Sequence, residues 1–342
     1  MIREAVYKLT ENCPCNCTFC DSRYKYEHIL KKKVLPLETW VQITDKLVES
    51  GLEVVVVSGG EPLLEKDTAM KLIDYLHENK VFVVLNASGA LFKNSNEMLT
   101  ELTEHFPDLL VFSMDSIKPE KHDENRRLKG VFDSVVKSIK YLKSLGDYPV
   151  AIRTVITRNN FREIPEIIEY FSSLGVDCIK LTNIENDTDK EFILRREELE
   201  EFNRDVKPKI IEALKKCNYE DESLLEENMK KIEGLLSPKD PDFDSIAEGI
   251  FSPRLVGNAP CDLNGRFFAV QSNGDLLPCC EAEHHYTPLL GNILRQSVEE
   301  VQSSEEYLHF RNNRPDYCKT CTQRHNLQLD FRRRIQKVDR RW

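Results

Sequence analysis

Residues 53–86 read EVVVVSGGEPLLEKDTAMKLIDYLHENKVFVVLN and contain one complete strand–helix–strand unit. Two short valine-rich runs flank a stretch whose apolar residues recur at the spacing of an amphipathic helix. Two strands that are joined by a crossover helix of this length lie parallel in one sheet. The stretch therefore predicts a parallel α/β architecture.

The same alternation extends in both directions from this unit, up to about residue 185. We predict strands at Ala5–Thr10, Glu53–Ser58, Val81–Asn86, Leu109–Met114, Val150–Ile156 and Cys178–Thr182. Several of the intervening helical patterns end at Gly51, Gly146 or Gly175, and glycine is common just past a helix C-terminus. Six such units make an open, TIM-like partial (β/α)6 barrel rather than a closed eight-stranded one.

Two further regions follow the barrel. The first is highly charged and helical in pattern, and we predict a connector whose charged face is solvated. In the second, Ser272-Asn273-Gly274 lies between two short runs and predicts a β-hairpin formed by Arg266–Gln271 and Asp275–Pro278. The predicted organisation is a partial barrel at 1–185, a helical connector at 186–250 and a small C-terminal domain at 251–342.

The 342 residues carry a formal charge of −10, with 48 basic and 58 acidic side chains. This balance argues against a general nucleic-acid binder, and we interpret the basic tail at 332–341 as a solvated helix end. No apolar run approaches the ~20 residues that span a bilayer, and the N-terminus has no signal-peptide pattern. These features predict a cytoplasmic protein without a membrane partner.

In a reducing compartment, clustered cysteines more often bind metal than form disulfides. Cys178 and Cys217 stand alone, and we interpret both as buried structural thiols. The other nine of the eleven cysteines form two groups, which are Cys13, Cys15, Cys17 and Cys20, then Cys261, Cys279, Cys280, Cys318 and Cys321.

Cys13, Cys17 and Cys20 form a C-x3-C-x2-C run just after the first strand. Three thiolates can hold a cubane iron–sulfur cluster and leave one iron open to a small molecule, whereas ferredoxin-type runs supply four. Zinc is the competing metal, with Cys15 as a fourth ligand. Structural zinc sites more often pair two C-x2-4-C knuckles, and this group has one. We therefore interpret Cys15 as a non-ligating thiol.

The segment Ser58-Gly59-Gly60-Glu61-Pro62 follows the second strand directly. Its glycines would let the backbone approach a ligand closely, and Glu61 could pair with an ammonium group. The alternative is a tight strand-to-helix turn. In a barrel of parallel strands this segment and the cysteine loop share one rim, where active sites assemble.

Ser113 follows the fourth strand, and Arg127 lies fourteen residues further on. An arginine offers a planar fork that suits a carboxylate, and Arg126 beside it leaves the choice between the neighbours open. Asn86 and Arg153 are weaker candidates for the same pocket.

Three features in this order resemble the radical S-adenosylmethionine (SAM) superfamily. They are the cysteine run with the aromatic Phe19 before its last cysteine, the Ser58–Pro62 segment, and the segment from Ser113 to Arg127. The resemblance implies a [4Fe–4S] cluster on Cys13, Cys17 and Cys20, with SAM on its open iron. It also implies that the Gly59–Pro62 segment binds the amino group of SAM. Ser113 would bind the ribose and Arg127 the carboxylate.

The second cysteine group reads Cys261-x12-Gly274-x4-Cys279, then Cys318-x2-Cys321. This resembles the opening of a SPASM domain but lacks the later cysteines of the full pattern. The resemblance implies a shortened, twitch-like domain with one auxiliary [4Fe–4S] cluster on these four cysteines. Zinc remains the alternative, because a hairpin cysteine with a C-x2-C pair is ordinary zinc chemistry.

Cys280, adjacent to Cys279, has three readings: an exchangeable ligand, an inert thiol, or a catalytic hydrogen-atom donor. We interpret the nearby His284, His285 and His325 as surface residues.

The resemblance implies reductive cleavage of SAM to a 5′-deoxyadenosyl radical, which removes a hydrogen atom from a substrate carbon. A flavodoxin- or ferredoxin-type reductant would supply the electron. We expect net oxidation of a small biosynthetic intermediate, because a fully thiolate-ligated auxiliary cluster can accept an electron. The first strand also starts within ten residues, which leaves no room for an N-terminal leader-binding domain. The alternatives are epimerisation or cross-linking of a ribosomal peptide and, from another class, a non-catalytic zinc-binding interaction protein.

Overall fold

The computed structural model describes residues 1–20, 34–94, 96–184, 190–217, 226, 229, 232–237, 242–254, 256–259, 261 and 263–321. Six parallel strands follow one another both in sequence and in space. They are β1 (Glu4–Thr10), β2 (Val54–Gly59), β3 (Phe82–Ala87), β4 (Leu109–Ser113), β5 (Val150–Ile156) and β6 (Cys178–Asn183). Each predicted strand agrees with its observed bounds to within one residue, and the predicted α/β architecture is confirmed.

Helices connect these strands and pack on one face of the sheet. They are α1 (Leu37–Glu49), α2 (Lys66–Glu78), α3 (Glu97–Glu104), α4 (Pro119–Arg126), α5 (Val131–Leu145) and α6 (Ile164–Ser173), with short 3-10 turns at Pro62–Glu65, Ala90–Phe92 and Phe161–Glu163. On α5, Val135, Ile139 and Leu142 repeat at helical spacing and are completely buried. Burial of such a side chain contributes roughly 1.5–3 kcal/mol, so these stripes hold the helices on the sheet.

The side chains of β1 show which face of the sheet is left for chemistry. Tyr7 is fully buried and stacks on Trp40 of α1, with 5.1 Å between the ring centroids. Successive side chains of a strand point to opposite faces, so Glu4, Val6 and Lys8 point away from the helices. We call this second face of the sheet the inner face.

The predicted hairpin is present, and it extends the barrel sheet instead of forming a sheet of its own. Its strands are β7 (Phe267–Val270) and β8 (Asp275–Leu277), followed by β9 (Gly291–Asn292). β7 pairs with β1 in parallel, while β8 and β9 add antiparallel strands outside it. As the first strand, β1 has one edge that β2 does not cover, and the backbone groups of that edge need partners.

The charged region after β6 contributes helices that pack on the barrel. They are α7 (Arg196–Glu201), a π turn (Phe202–Val206), α8 (Lys207–Lys216) and α9 (Phe243–Ala247). Arg158, which follows β5, donates to Glu198 at 2.8 Å and links α7 to the barrel. The rest of the predicted connector is only partly within the described residues, and the basic tail lies outside them.

The C-terminal region is small and mostly helical beyond the hairpin. Its elements are α10 (Cys280–His285), α11 (Val298–Gln302), α12 (Glu305–Asn312) and a 3-10 turn at Asp316–Thr320. Among the described residues, no helix is long and apolar enough to cross a membrane.

Candidate active site

Three of the predicted ligands lie on the loop after β1. Cys17 is buried, and Cys13 and Cys20 are partly buried. The Cys20 amide donates to the Cys17 carbonyl at 3.2 Å and forms a tight turn. The amides of Asn16 and Thr18 donate to the carbonyls of Arg126 and Asn125, at 3.1 and 2.9 Å. The loop is therefore fixed to the last turn of α4. We call Cys13, Cys17 and Cys20 the front set.

Cys15 lies within this loop and is 3% exposed. Its hydrogen bond to Cys13 raises the pKa of the Cys15 thiol to about 11. Cys15 is thus an interior thiol of the loop.

Arg126, rather than Arg127, lies beside the front set. Its Nη2 is 2.6 Å from Asp115 Oδ2, and its Nη1 donates to Cys17 Sγ at 3.5 Å. Its guanidinium carbon is 5.8 Å from the centre of the Phe19 ring. Arg127 is exposed, with a left-handed backbone (φ +49) just past the end of α4. The position of Arg127 therefore gives no support to the carboxylate-binding role predicted for it.

The two glycines of the Ser58–Pro62 segment are needed by the protein itself. The Gly60 amide donates to the Thr10 carbonyl at 2.7 Å, and a Cβ on Gly59 would lie 2.3 Å from that same oxygen. A Cβ on Gly60 would lie 2.3 Å from the Asn12 carbonyl oxygen. The sequence suggested close approach of a ligand, whereas the structure shows close approach of the cysteine loop.

Glu61 is 1% exposed and joins two loops of the rim. Its Oε2 accepts from the amide of Ser88 at 2.8 Å and from the Ser88 hydroxyl, and its Oε1 accepts from the Leu63 amide at 3.3 Å. Burial raises the pKa of Glu61, and the bonds from Ser88 oppose that shift. Pro62 is buried and begins the following 3-10 turn. Sequence reasoning missed Ser88, although its place directly after β3 was an available signal.

Asn86 and Ser113 both lie on the inner face and are partly buried. Ser58 is paired with Lys8 in the β1–β2 register, and the Asn86 side-chain amide donates to the Ser58 hydroxyl at 3.5 Å. Asn86 is paired in turn with Val111 on β4, two residues before Ser113. Both predicted SAM contacts are therefore on the face where the sheet carries its polar groups.

A row of polar side chains continues from Ser113 across the inner face. Ser113 is paired with Arg153, and Arg153 with Lys180, on three adjacent strands. Burial and then the neighbouring Arg153 lower the pKa of Lys180 to about 7, while the charge of Glu4 on β1 acts in the opposite direction. Because β1 and β6 lie at opposite ends of the six parallel strands, this influence of Glu4 indicates a sheet that curls toward a barrel. Sequence reasoning missed Lys180.

The four other predicted ligands come from three separate segments and gather at one place. Cys318 and Cys321 pack with Cys261, and the charges of Cys321 and Cys318 act on Cys279. Cys279 Sγ accepts from the Ala282 amide at 3.3 Å, at the start of α10. We call Cys261, Cys279, Cys318 and Cys321 the back set.

The chemistry of both sets fits iron–sulfur clusters. Four sulfurs, or three with one open iron position, are the usual ligands of cubane clusters. Among the described residues, no three Cys, His, Asp or Glu side chains converge as closely as a single metal ion requires.

Helix α10 connects the back set to the inner face. It starts next to Cys279, and the charge of its first residue, Cys280, acts on both Lys8 and Lys180. Further along the helix, Glu283 Oε2 is 3.4 Å from the Lys8 ammonium, and Glu283 Oε1 accepts from Gln271 at 2.8 Å. The charge of Cys280 thus reaches two lysines of the inner face.

The remaining cysteine and histidine predictions have mixed outcomes. Cys178 and Cys217 are only partly buried, since Cys178 lies on the inner face of β6 and Cys217 at the end of α8. His285 is exposed, as expected. His325 and the side chain of His284 lie outside the described part of the chain.

A barrel of parallel strands with a three-thiol loop on its rim and a four-thiol site behind it defines a class of iron–sulfur proteins. The family model described as the radical SAM superfamily matches residues 7–171. A second model, for the iron–sulfur cluster-binding SPASM domain, matches residues 261–322. The chain carries a radical SAM domain and a SPASM domain. It is an enzyme whose cofactors are a [4Fe–4S] cluster, SAM and an auxiliary iron–sulfur cluster.

The similar curated proteins are named for different reactions. The PqqA peptide cyclase of Bradyrhizobium diazoefficiens is 24% identical over 333 residues, 95% of this chain and 79% of that protein. The PqqA peptide cyclase of Granulibacter bethesdensis is 26% identical over 178 residues, 52% of this chain and 46% of that protein. In that match the chain spans less than half of its relative. The AdoMet-dependent heme synthase of Methanosarcina barkeri is 25% identical over 312 residues, 89% of this chain and 83% of that protein.

Among solved structures, SuiB of Streptococcus suis is similar over 99% of this chain and 74% of its own, with a TM-score of 0.66 and 17% identity. A further SuiB structure, with a TM-score of 0.61 and 17% identity, is bound to the precursor peptide SuiA and covers 99% of this chain and 73% of that one. At this identity the likeness shows the fold.

Proposed function

We propose that this enzyme oxidises a substrate carbon by two electrons. The observation that carries the proposal is helix α10, which starts directly after Cys279 of the back set and whose first residue, Cys280, acts through its charge on Lys8 and Lys180 of the inner face. A substrate on that face would lie close to the auxiliary site, which favours transfer of an electron out of the substrate.

In this proposal Cys13, Cys17 and Cys20 hold the cluster that binds SAM, and the back set holds an auxiliary [4Fe–4S] cluster. When bound, the first cluster with SAM supplies the radical that takes one hydrogen atom from the substrate, and the second accepts one electron. The substrate must also lose one proton. Loss of one hydrogen atom, one electron and one proton together balances the oxidation of an alcohol carbon to a ketone.

We assign Lys180 as the base that accepts the proton lost by the substrate. A base works best when its pKa is close to the operating pH, and burial beside Arg153 lowers the pKa of Lys180 to about 7. Its amine can therefore be neutral when the substrate arrives. Lys8, which is ion-paired with Glu283, is less suited to this role.

For the substrate, we propose a peptide in place of the small intermediate that the sequence favoured. Two relatives are named as peptide cyclases, and the similar SuiB structure holds a precursor peptide. The relationship to a heme synthase keeps a small biosynthetic intermediate as the second candidate.

A second candidate reaction is epimerisation, in which Cys280 returns a hydrogen atom to the opposite face of the substrate radical. The electrostatic influence of Cys280 on two inner-face lysines favours it. Cys178, the other partly buried thiol on this face, offers a matched control.

We also propose a cytoplasmic location and a flavodoxin- or ferredoxin-type reductant. Among the described residues, which include all eleven cysteines, no disulfide is formed, and this suits a reducing compartment.

The test starts from an extract of the source organism grown in D2O and separated by size. Reconstituted enzyme and SAM are added, and mass spectrometry follows deuterium in 5′-deoxyadenosine. We expect deuterium transfer from the peptide fraction; transfer from the small-molecule fraction alone would select the second substrate class.

The product of the identified substrate then decides the reaction. We expect a product two hydrogens lighter. In D2O, a gain of one mass unit that disappears in Cys280→Ala and persists in Cys178→Ala would overturn the oxidation proposal in favour of epimerisation.

A further inference from the structure

We infer that Arg126 is a positioning residue of the front cluster: it acts through the Cys17 sulfur and raises the reduction potential of the cluster, and it does not bind SAM. The inference rests on Cys17 being a cluster ligand, as proposed above. Nothing in it depends on what happens to the substrate.

Both terminal nitrogens of the Arg126 guanidinium contact neighbours within the protein, while its Nε has no hydrogen-bond partner among the described residues. One terminal nitrogen is 2.6 Å from Asp115 Oδ2 and the other donates to Cys17 Sγ at 3.5 Å. Arg126 is 7% exposed and Asp115 is completely buried. A planar fork with two fixed partners in a buried site has little freedom to turn toward a ligand.

The backbone around Arg126 reinforces this arrangement. The carbonyls of Arg126 and Asn125 accept from the amides of Asn16 and Thr18, which flank Cys17 in the loop. The same turn of α4 therefore holds both the cation and the backbone on either side of the sulfur. The cysteine loop and the Arg126 guanidinium are therefore held in a fixed position relative to each other.

A cation and an N–H donor at a ligand sulfur stabilise the reduced cluster, because reduction adds a negative charge. Hydrogen bonds to the sulfurs and the local charge are recognised determinants of cluster potential. The effect is larger in a buried site, where water screens less. Arg126 should thus make the first electron easier to accept.

The neighbouring arginine provides a matched control. Arg127 has the same charge and the adjacent position in the chain, yet it is exposed and lies beyond the last turn of α4. If only the net charge near the rim mattered, both arginines would act alike. The inference requires that Arg126 alone acts.

The experiment compares Arg126→Met, Arg126→Lys and Arg127→Met in the holoenzyme, with redox titration followed by electron paramagnetic resonance and with no substrate present. The signal that changes on SAM addition identifies the front cluster. We expect the potential of Arg126→Met to fall by at least 59 mV, which is a tenfold change in a one-electron equilibrium. Arg126→Lys should fall less, and Arg127→Met should match the wild type. SAM binding should change little in all three.

Two results would overturn the inference. One is an unchanged potential with weakened SAM binding in Arg126→Met, which would make Arg126 a SAM ligand. The other is an equal fall in Arg127→Met. If Arg126→Met fails to retain iron, Arg126→Lys decides, since a wild-type potential there is equally contradictory. Iron content of Cys17→Ala tests the ligand assignment separately, and the oxidation proposal can fail without changing these potentials.

Discussion

The front and back sets share one local turn, but the front set lies on a single loop and the back set is assembled from distant segments. In both, the last cysteine of a C-x2-C pair donates its amide to the carbonyl of the first, at 3.2 Å for Cys20 and 3.3 Å for Cys321. The front set lies on one loop of eight residues, whereas the back set joins segments as far apart as Cys261 and Cys321. A contiguous set needs only its loop to be anchored, while a dispersed set needs the hairpin, α10 and the C-terminal turn to pack together. The two sets should therefore fail independently.

The largest expected effect is in the front set. Cys17→Ala should abolish formation of 5′-deoxyadenosine under strong reductant, because two thiolates cannot hold the cluster that binds SAM. The control is Cys15→Ala, an interior thiol of the same loop, which should retain much of the activity. Cleavage at the wild-type rate in Cys17→Ala, measured by chromatography of the nucleoside, would refute the ligand assignment.

The matching change in the back set should spare SAM cleavage. The double variant Cys318→Ala/Cys321→Ala should lower the iron content from about eight to about four per chain if both clusters are [4Fe–4S]. SAM cleavage should persist, because the front loop is anchored to α4 through the amides of Asn16 and Thr18. Iron analysis and nucleoside formation are measured on one sample. Loss of both clusters together would show that the two sets are not independent.

The third effect is smaller and concerns the proposed contact between Glu61, on the rim of the barrel, and SAM. If Glu61 grips the SAM ammonium, Glu61→Gln removes a charge-assisted hydrogen bond of about 1.5–3 kcal/mol and weakens SAM binding roughly ten- to a hundredfold. Ser88→Ala removes only the bonds between Ser88 and Glu61 and should weaken binding less. Equal losses in equilibrium binding would mean that Glu61 only joins the two loops.

The sequence predicted the front set more completely than its surroundings. The cysteine spacing, the SGGEP segment and the six alternating strands are local patterns, so the strands and the five-residue segment Ser58–Pro62 could be located directly. Local patterns could not decide whether Arg126 or Arg127 lies beside the front set. The answer depends on where α4 ends and on which of the two side chains then turns inward. A left-handed residue at that point leaves Arg127 outside and Arg126 against Asp115.

The inner face was the part that sequence reasoning missed. Lys180 is one residue in an ordinary β-rich run, and its importance arises from Arg153 in the register and from Glu4 on a strand more than 170 residues earlier. The extension of the sheet by β7 was equally hidden, because parallel pairing between distant strands leaves no local pattern. The surroundings of Lys180 and the pairing of β7 with β1 become visible only in the folded structure.

The smallest expected effect tests the inner face that links the two sets. The pKa of Lys180 is lowered to about 7 from an ordinary value of 10.5, first by burial and then by Arg153, against the opposing charges of Glu4, Cys280 and Cys178. Below pH 7 both folded and unfolded lysine are protonated, so the folded protein carries the full cost of the buried charge. Between pH 7 and 10.5 the unfolded chain holds a proton that the folded one lacks, and stability rises with pH.

Lys180→Met removes this titration, so the variant should be more stable than the wild type at pH 6.5, and its advantage should shrink at about pH 9.5. Thermal unfolding of anaerobic protein at the two pH values measures the difference. Lys71→Met, at an exposed position of α2, is the control and should show no such trend. An advantage that does not change with pH would mean that the Lys180 amine stays charged in the folded protein. It could not then accept the substrate proton, and the oxidation would need another base.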